Sequence, residues 1–149
     1  MRHQGIEGDA RITPCACLDF FGSYTLTKVT IEESESPSQV GKTYPVTPKY
    51  AGTAGITYRY EGATLTLSGR YSGRRYLIND LDNVGETLPD YLVYDARLAY
   101  TWKSLTAFVA VYNVTDRKYN DNGGFGFGGP DRFNPAPERS WLAGGEVRF

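Results

Sequence analysis

Histidine and methionine each occur once and cysteine twice in the 149 residues. The lone histidine, His3, sits at the very start of the chain. A Ser-His-Asp triad therefore lacks its base and a histidine metal cluster lacks its partners. No catalytic residue, cofactor or metal site is expected, and the chain is read as a non-enzyme. Charge of one sign is also missing: 16 Lys and Arg against 17 Asp and Glu leave a formal charge of -1. That balance excludes a partner held by its phosphate backbone, so nucleic acid is not expected. No stretch reaches the roughly 18 apolar residues of a membrane helix, and Met1 to Glu7 lacks the apolar core of a secretory leader. The length allows one domain or part of a larger one. Cys15 and Cys17, two apart in an extended chain, are read as pointing to opposite faces, so that a mutual disulfide would be strained. With no second ligand pair for a metal, both cysteines are expected to be incidental.

Aromatics and glycine are abundant: 12 Tyr, 7 Phe, 2 Trp and 17 Gly. This is β-sheet composition, and the period-2 pattern agrees. From Asp90 to Trp102 one parity reads Leu92, Tyr94, Ala96, Leu98, Tyr100, Trp102 and the other Tyr91, Val93, Asp95, Arg97, Ala99, Thr101. The same alternation runs from Ala63 through Leu65, Leu67, Gly69 and Tyr71, from Pro48 to Tyr60, and from Ser140 to Phe149. Arg70 and Arg74 fall on the polar parity, where Asp95 and Arg97 of the following strand could meet them. Leu18 to Ile31 and Ser104 to Tyr119 are two further strands, and Arg2 to Ile12 is a seventh.

The connections fall into two alternating classes. Thr13 to Ala16, Glu61-Gly62 and Lys103-Ser104 are tight turns, whereas Glu32 to Thr47, Leu77 to Pro89 and Asn120 to Glu138 are long and rich in Gly, Pro, Asn and Asp. In an antiparallel up-and-down meander all tight turns then share one rim and all long loops the other, the asymmetry of outer-membrane barrels. The ten steps from Tyr50 to Tyr60 cover about 33 Å along a strand and about 25 Å along the membrane normal at a tilt near 40°. Outward aromatics cluster at both ends: Phe20, Tyr58, Tyr60, Tyr100, Trp102 and Phe149 at the tight-turn rim, and Tyr50, Tyr71, Tyr94 and Trp141 at the other. Two such girdles fit two membrane interfaces. The alternatives are a small outer-membrane barrel or porin piece, or a soluble β-sheet ligand-binding module.

Several local motifs then carry a resemblance. Tyr112-Asn113-Val114-Thr115-Asp116-Arg117-Lys118-Tyr119 is followed by a Gly-rich loop and by Pro135-Ala136-Pro137-Glu138-Arg139. Upstream stand Arg2-x-x-Gly5-Ile6-Glu7, Gly41 before Pro48-Lys49-Tyr50, Tyr71-x-Gly73, and Asp80-x-Asp82-Asn83. In this order they resemble the C-terminal barrel strands of TonB-dependent outer-membrane receptors. The resemblance implies an all-β fold in which residues 1–149 form the C-terminal part of a 22-stranded transmembrane barrel, a fragment lacking the plug domain, the TonB box and the earlier strands. It implies a location in the bacterial outer membrane and a parent protein that takes up a scarce ligand, most often a ferric siderophore. Expected partners are membrane lipid, the barrel-assembly machinery and, for the full-length receptor, TonB and a ferric-siderophore-like ligand. Trp141, Ala143, Val147 and Phe149 then match the terminal assembly signal, a strand open to β-augmentation.

Candidate ligand-binding residues lie in the long loops: Arg74, Arg75 and Tyr76 lead into one, and Tyr119, Phe125, Phe127, Arg132 and Arg139 lie in or beside another. Arginine supplies charge and bidentate hydrogen bonds, and the rings supply stacking surface. Asn113 and Asp116 are expected to be structural, bonding backbone where the strand leaves the membrane or marking a bulge. Gly124-x-Gly126-x-x-Gly129 matches a dinucleotide-binding pattern in letters, but Pro130 follows and no helix opens there, so it reads as a flexible loop.

Overall fold

The computed structural model describes residues 1–148. Its strands are β1 (Arg2–Cys15), β2 (Leu18–Thr30), β3 (Tyr50–Tyr60), β4 (Ala63–Ser72), β5 (Arg75–Tyr76), β6 (Thr87–Leu88), β7 (Tyr91–Trp102), β8 (Leu105–Tyr112), β9 (Asn120–Gly124), β10 (Arg132–Pro135) and β11 (Ser140–Val147). Among the described residues the helical content is one 3-10 turn, Pro37–Gln39. Seven long strands form one antiparallel sheet in the order β1-β2-β3-β4-β7-β8-β11, and β5-β6 and β9-β10 are small ribbons set in the loops. The all-β meander expected from the sequence is the fold observed.

Register fixes which residues share a face. The row Ile12, Phe20, Ile56, Leu67, Ala96, Val111, Trp141 runs across all seven strands, and the rows beside it carry Leu65, Leu98 and Val109. This apolar face is the more exposed one: Leu98 is 49% and Trp102 61% exposed, while Val93 and Ala99 of the opposite parity are 1% and 6% exposed. A soluble sheet would bury the apolar rows instead. The other face carries Glu7, Asp9, Arg11, Thr57, Thr66, Ser68, Arg70 and Arg97 along the same ladders. Apolar-out and polar-in is the alternation of a transmembrane barrel wall. The outer strands β1 and β11 each pair on one side only among the described residues.

Tight turns occupy one rim and long loops the other, as the spacing predicts. At Glu61-Gly62 both central residues have positive φ, 44° and 85°, the turn whose twist matches a two-residue hairpin. Three expectations are corrected. The first turn falls at Ala16-Cys17, because β1 continues past Pro14 to Cys15 through a register shift between Ile12 and Cys15. The strand expected over Ser104 to Tyr119 ends at Tyr112, because Asn113 and Asp116 take positive φ, 52° and 53°, and turn the chain out of the sheet. Cys15 and Cys17 form a disulfide with their Cα atoms 5.2 Å apart. Residues two apart share a face in a strand, and the turn between these two draws them into bridging range.

Candidate functional site

The long-loop rim gathers Arg75, Asp80 and Asn113, three of the four buried polar residues among those described. Asp80 is fully buried because its carboxylate closes its own loop, accepting the backbone N–H of Val84 at 2.9 Å and of Gly85 at 3.1 Å. Leu77 and Leu88, also fully buried, give the rim a small core of its own. Asn83 reaches the preceding loop, accepting the Thr43 N–H at 2.8 Å and donating to the Thr43 carbonyl at 2.9 Å. Asp131 reaches the other way, accepting the Gly126 N–H at 2.9 Å and the Glu86 N–H at 3.2 Å. A parallel bridge links Ile78 to Gly124 through Ile78 N to Gly123 O, 2.8 Å, and Phe125 N to Ile78 O, 2.9 Å.

A second cluster lies on the polar face where β4 and β7 meet this rim. Tyr119 packs on Tyr91 with ring centroids 4.2 Å apart, and Arg70 donates to the Tyr119 hydroxyl at 3.5 Å. Arg75 lies over the Tyr91 ring at 5.5 Å, donates to the Asp121 carbonyl and is buried. Here the expected meeting of Arg70 with Asp95 is corrected. Asp95 stands opposite Ser68 and accepts the Asn113 N–H at 2.9 Å, while Arg70 stands opposite Val93 and turns to Tyr119.

The sequence-derived candidates thus separate. Arg75 and Tyr119 come together around Tyr91, and Phe125 and Phe127 form an edge-to-face pair at 5.1 Å. Arg74, Arg132 and Arg139 are exposed, and Phe127 is 75% exposed at a turn where Gly128 has φ of 71°. Tyr76 is half-buried, and Arg139 donates its N–H to Asp116 Oδ1 at 2.9 Å. Arg70, Tyr91, Asp80 and Asp131 were not singled out as site residues. The first two look like ordinary strand residues, Asp80 acts on backbone four and five residues on, and Asp131 declares its role only once the distant Glu86 backbone folds onto it. Asn113 has the structural role expected: it is 5% exposed, accepts the Arg117 N–H at 2.9 Å and donates to the Arg117 carbonyl at 2.9 Å. Of the assembly-signal residues, Trp141, Ala143 and Val147 lie on the outward face of the edge strand β11, and Phe149 lies outside the described residues.

A one-sided apolar sheet, short turns on one rim and knitted long loops on the other define a wall of an outer-membrane receptor barrel. The chain belongs to the family described as TonB dependent receptor-like, beta-barrel, whose model matches residues 1–114. Solved structures extend the match to nearly the whole chain. The ferric yersiniabactin uptake receptor FyuA from Yersinia pestis superposes with a TM-score of 0.84 at 18% identity, over 99% of this chain and 23% of that one. The ferric-catecholate import receptor Fiu from E. coli K12, in its closed form, gives 0.80 at 26% identity over 99% of this chain and 21% of that one. The ferripyoverdine receptor of the Pseudomonas aeruginosa outer membrane gives 0.72 at 20% identity, over 97% and 19%. The chain therefore spans about a fifth of the length of these receptors. Its location is the outer membrane of a Gram-negative bacterium, and the family consists of transport receptors.

Proposed function

We propose that residues 1–149 are the C-terminal portion of a 22-stranded receptor barrel, and that the full-length protein takes up a ferric siderophore with TonB as its energising partner. The long-loop rim faces outward and meets the ligand, the polar face of the sheet lines the lumen around a plug supplied by the rest of the protein, and the apolar face meets lipid. The barrel-assembly machinery pairs with the open edge of β11. A segment with two open edges leaves backbone amides unsatisfied in hydrocarbon at a cost of several kcal/mol each, so transport belongs to the whole receptor.

The observation that carries the ligand reading is the division of labour at the rim. Arg75 and Phe125 are packed into the loop structure, while Arg74, Phe127 and Arg132 remain exposed on the same rim. Exposed guanidinium groups pair with the anionic oxygens of a ferric siderophore, and an exposed ring stacks on its aromatic or carbonyl surface. The test is uptake of iron-labelled catecholate and hydroxamate siderophores by cells carrying the full receptor, with and without TonB. TonB-dependent accumulation of at least one, lowered by the combined Arg74→Ala, Phe127→Ala and Arg132→Ala variant at equal surface expression, is the expected result. Accumulation of none overturns the siderophore assignment.

A further inference from the structure

We propose that Asn83 is a positioning residue that couples the three long loops into one cooperative unit, so that a ligand touching the loop around Phe127 is felt in the loop around Thr43. This rests on the receptor reading for its purpose and on the geometry alone for its existence.

Most of the links between the loops run through backbone. Asn83 holds Thr43 by donating to its carbonyl and accepting from its N–H, the pattern of a strand partner supplied by a side chain, and it also donates to the Asp80 carbonyl at 3.1 Å. Its own φ is 55°, a conformation asparagine tolerates. A second backbone bond runs from Val46 N to Tyr76 O at 2.9 Å, and the Ser38 hydroxyl donates to Asp82. The middle loop is in turn fixed internally by Asp80 and joined to the third by the Ile78–Gly124 bridge and by Asp131. Asn83 therefore stands at the junction of the first and second loops, and Asp131 at the junction of the second and third. Three loops tied only within themselves would open one by one. Tied in series, with buried Leu77 and Leu88 between them, they share opening events.

The coupling is readable without any ligand, by amide hydrogen exchange of the full-length receptor in detergent. Asn83→Ala should speed exchange not only at residues 41–44, which it touches, but also at 123–132, which it does not, by about tenfold for the loss of its three side-chain hydrogen bonds. Asn83→Gly keeps the left-handed backbone and loses the clamp, so it should behave like Asn83→Ala. Asn83→Asp keeps the acceptor for Thr43 and should recover part of the protection. Reciprocally, Asp131→Ala should speed exchange at residues 41–44. Acceleration confined to residues 41–44 and 80–85, or an Asn83→Gly variant that matches the native protein, overturns the proposal. In ferric-siderophore uptake, Asn83→Ala should raise the half-saturating concentration several-fold and leave the maximal rate unchanged. A receptor that takes up no siderophore removes the siderophore assignment and leaves the exchange result to stand by itself.

Discussion

The ring of Phe21 lies over Gly55, its direct partner across β2 and β3, and fills the space that a Cβ at Gly55 would take. Such a Cβ would also stand 2.6 Å from the Leu67 carbonyl oxygen. The pair is an aromatic side chain shielding a glycine in a neighbouring strand. Gly55→Ala should therefore cost about 1 to 3 kcal/mol through overpacking. Gly22→Ala, whose nearest neighbour would be 3.5 Å away, should change stability little. Denaturant unfolding of the receptor refolded in lipid vesicles compares the two, and equal effects would remove the packing role of Phe21.

Leu98 and Thr101 are three residues apart on β7 and face opposite sides of the wall. Leu98 lies between the girdle aromatics Tyr94 and Trp102, near mid-height. Leu98→Arg should cost about 2 to 4 kcal/mol and Thr101→Arg much less, because only the first places a cation in hydrocarbon. Urea titration of refolded receptor measures both, and a cost at Thr101 matching that at Leu98 would overturn the facing of the sheet.

The Cys15–Cys17 bridge closes a loop of three residues, so the entropy it removes from the unfolded chain is small, about 1 to 2 kcal/mol in the chain-entropy model. The hairpin is also held by the Thr13 hydroxyl donating to Asp19, by Arg59 to Asp19 at 2.8 Å and by Arg59 N to Cys17 O at 2.8 Å. The double variant Cys15→Ser, Cys17→Ser should fold and lose no more than that amount. Alkylation of the native receptor before reduction should label neither cysteine; labelling of both would remove the bridge.

The strands and their faces were legible because one side of every long strand meets a uniform solvent, which forces a period of two from Ile6 to Val147. Turn position was less legible. Pro14 looked like a breaker, but it lies within the register shift between Ile12 and Cys15, where the ladder to β2 is already interrupted, so the strand runs on. Asn113 and Asp116 ended β8 where an apolar count alone would have continued it. The rim was the least legible part. Asn83 and Asp131 act on the backbone of Thr43 and Glu86, 40 and 45 residues away, and no local pattern records a contact of that range.

Arg74 and Arg75 are adjacent in sequence and differ in environment, which makes them a test of the whole rim assignment. Arg75 is 6% exposed, lies over the Tyr91 ring and donates to Ser72 Oγ at 3.4 Å and to the Asp121 carbonyl. Arg75→Ala strips these partners and leaves the Tyr91–Tyr119 stack uncovered, so it should destabilise the rim by about 1 to 3 kcal/mol. Arg74 is exposed and has no comparable packing. Arg74→Ala should leave thermal stability unchanged and weaken binding of an anionic ferric siderophore several-fold, with the loss shrinking at high salt because an exposed charge is screened. Thermal unfolding and siderophore titration of the same two receptor variants read both effects. If Arg75→Ala lowers affinity with no loss of stability, the buried arginine is the ligand contact and the division at the rim is reversed.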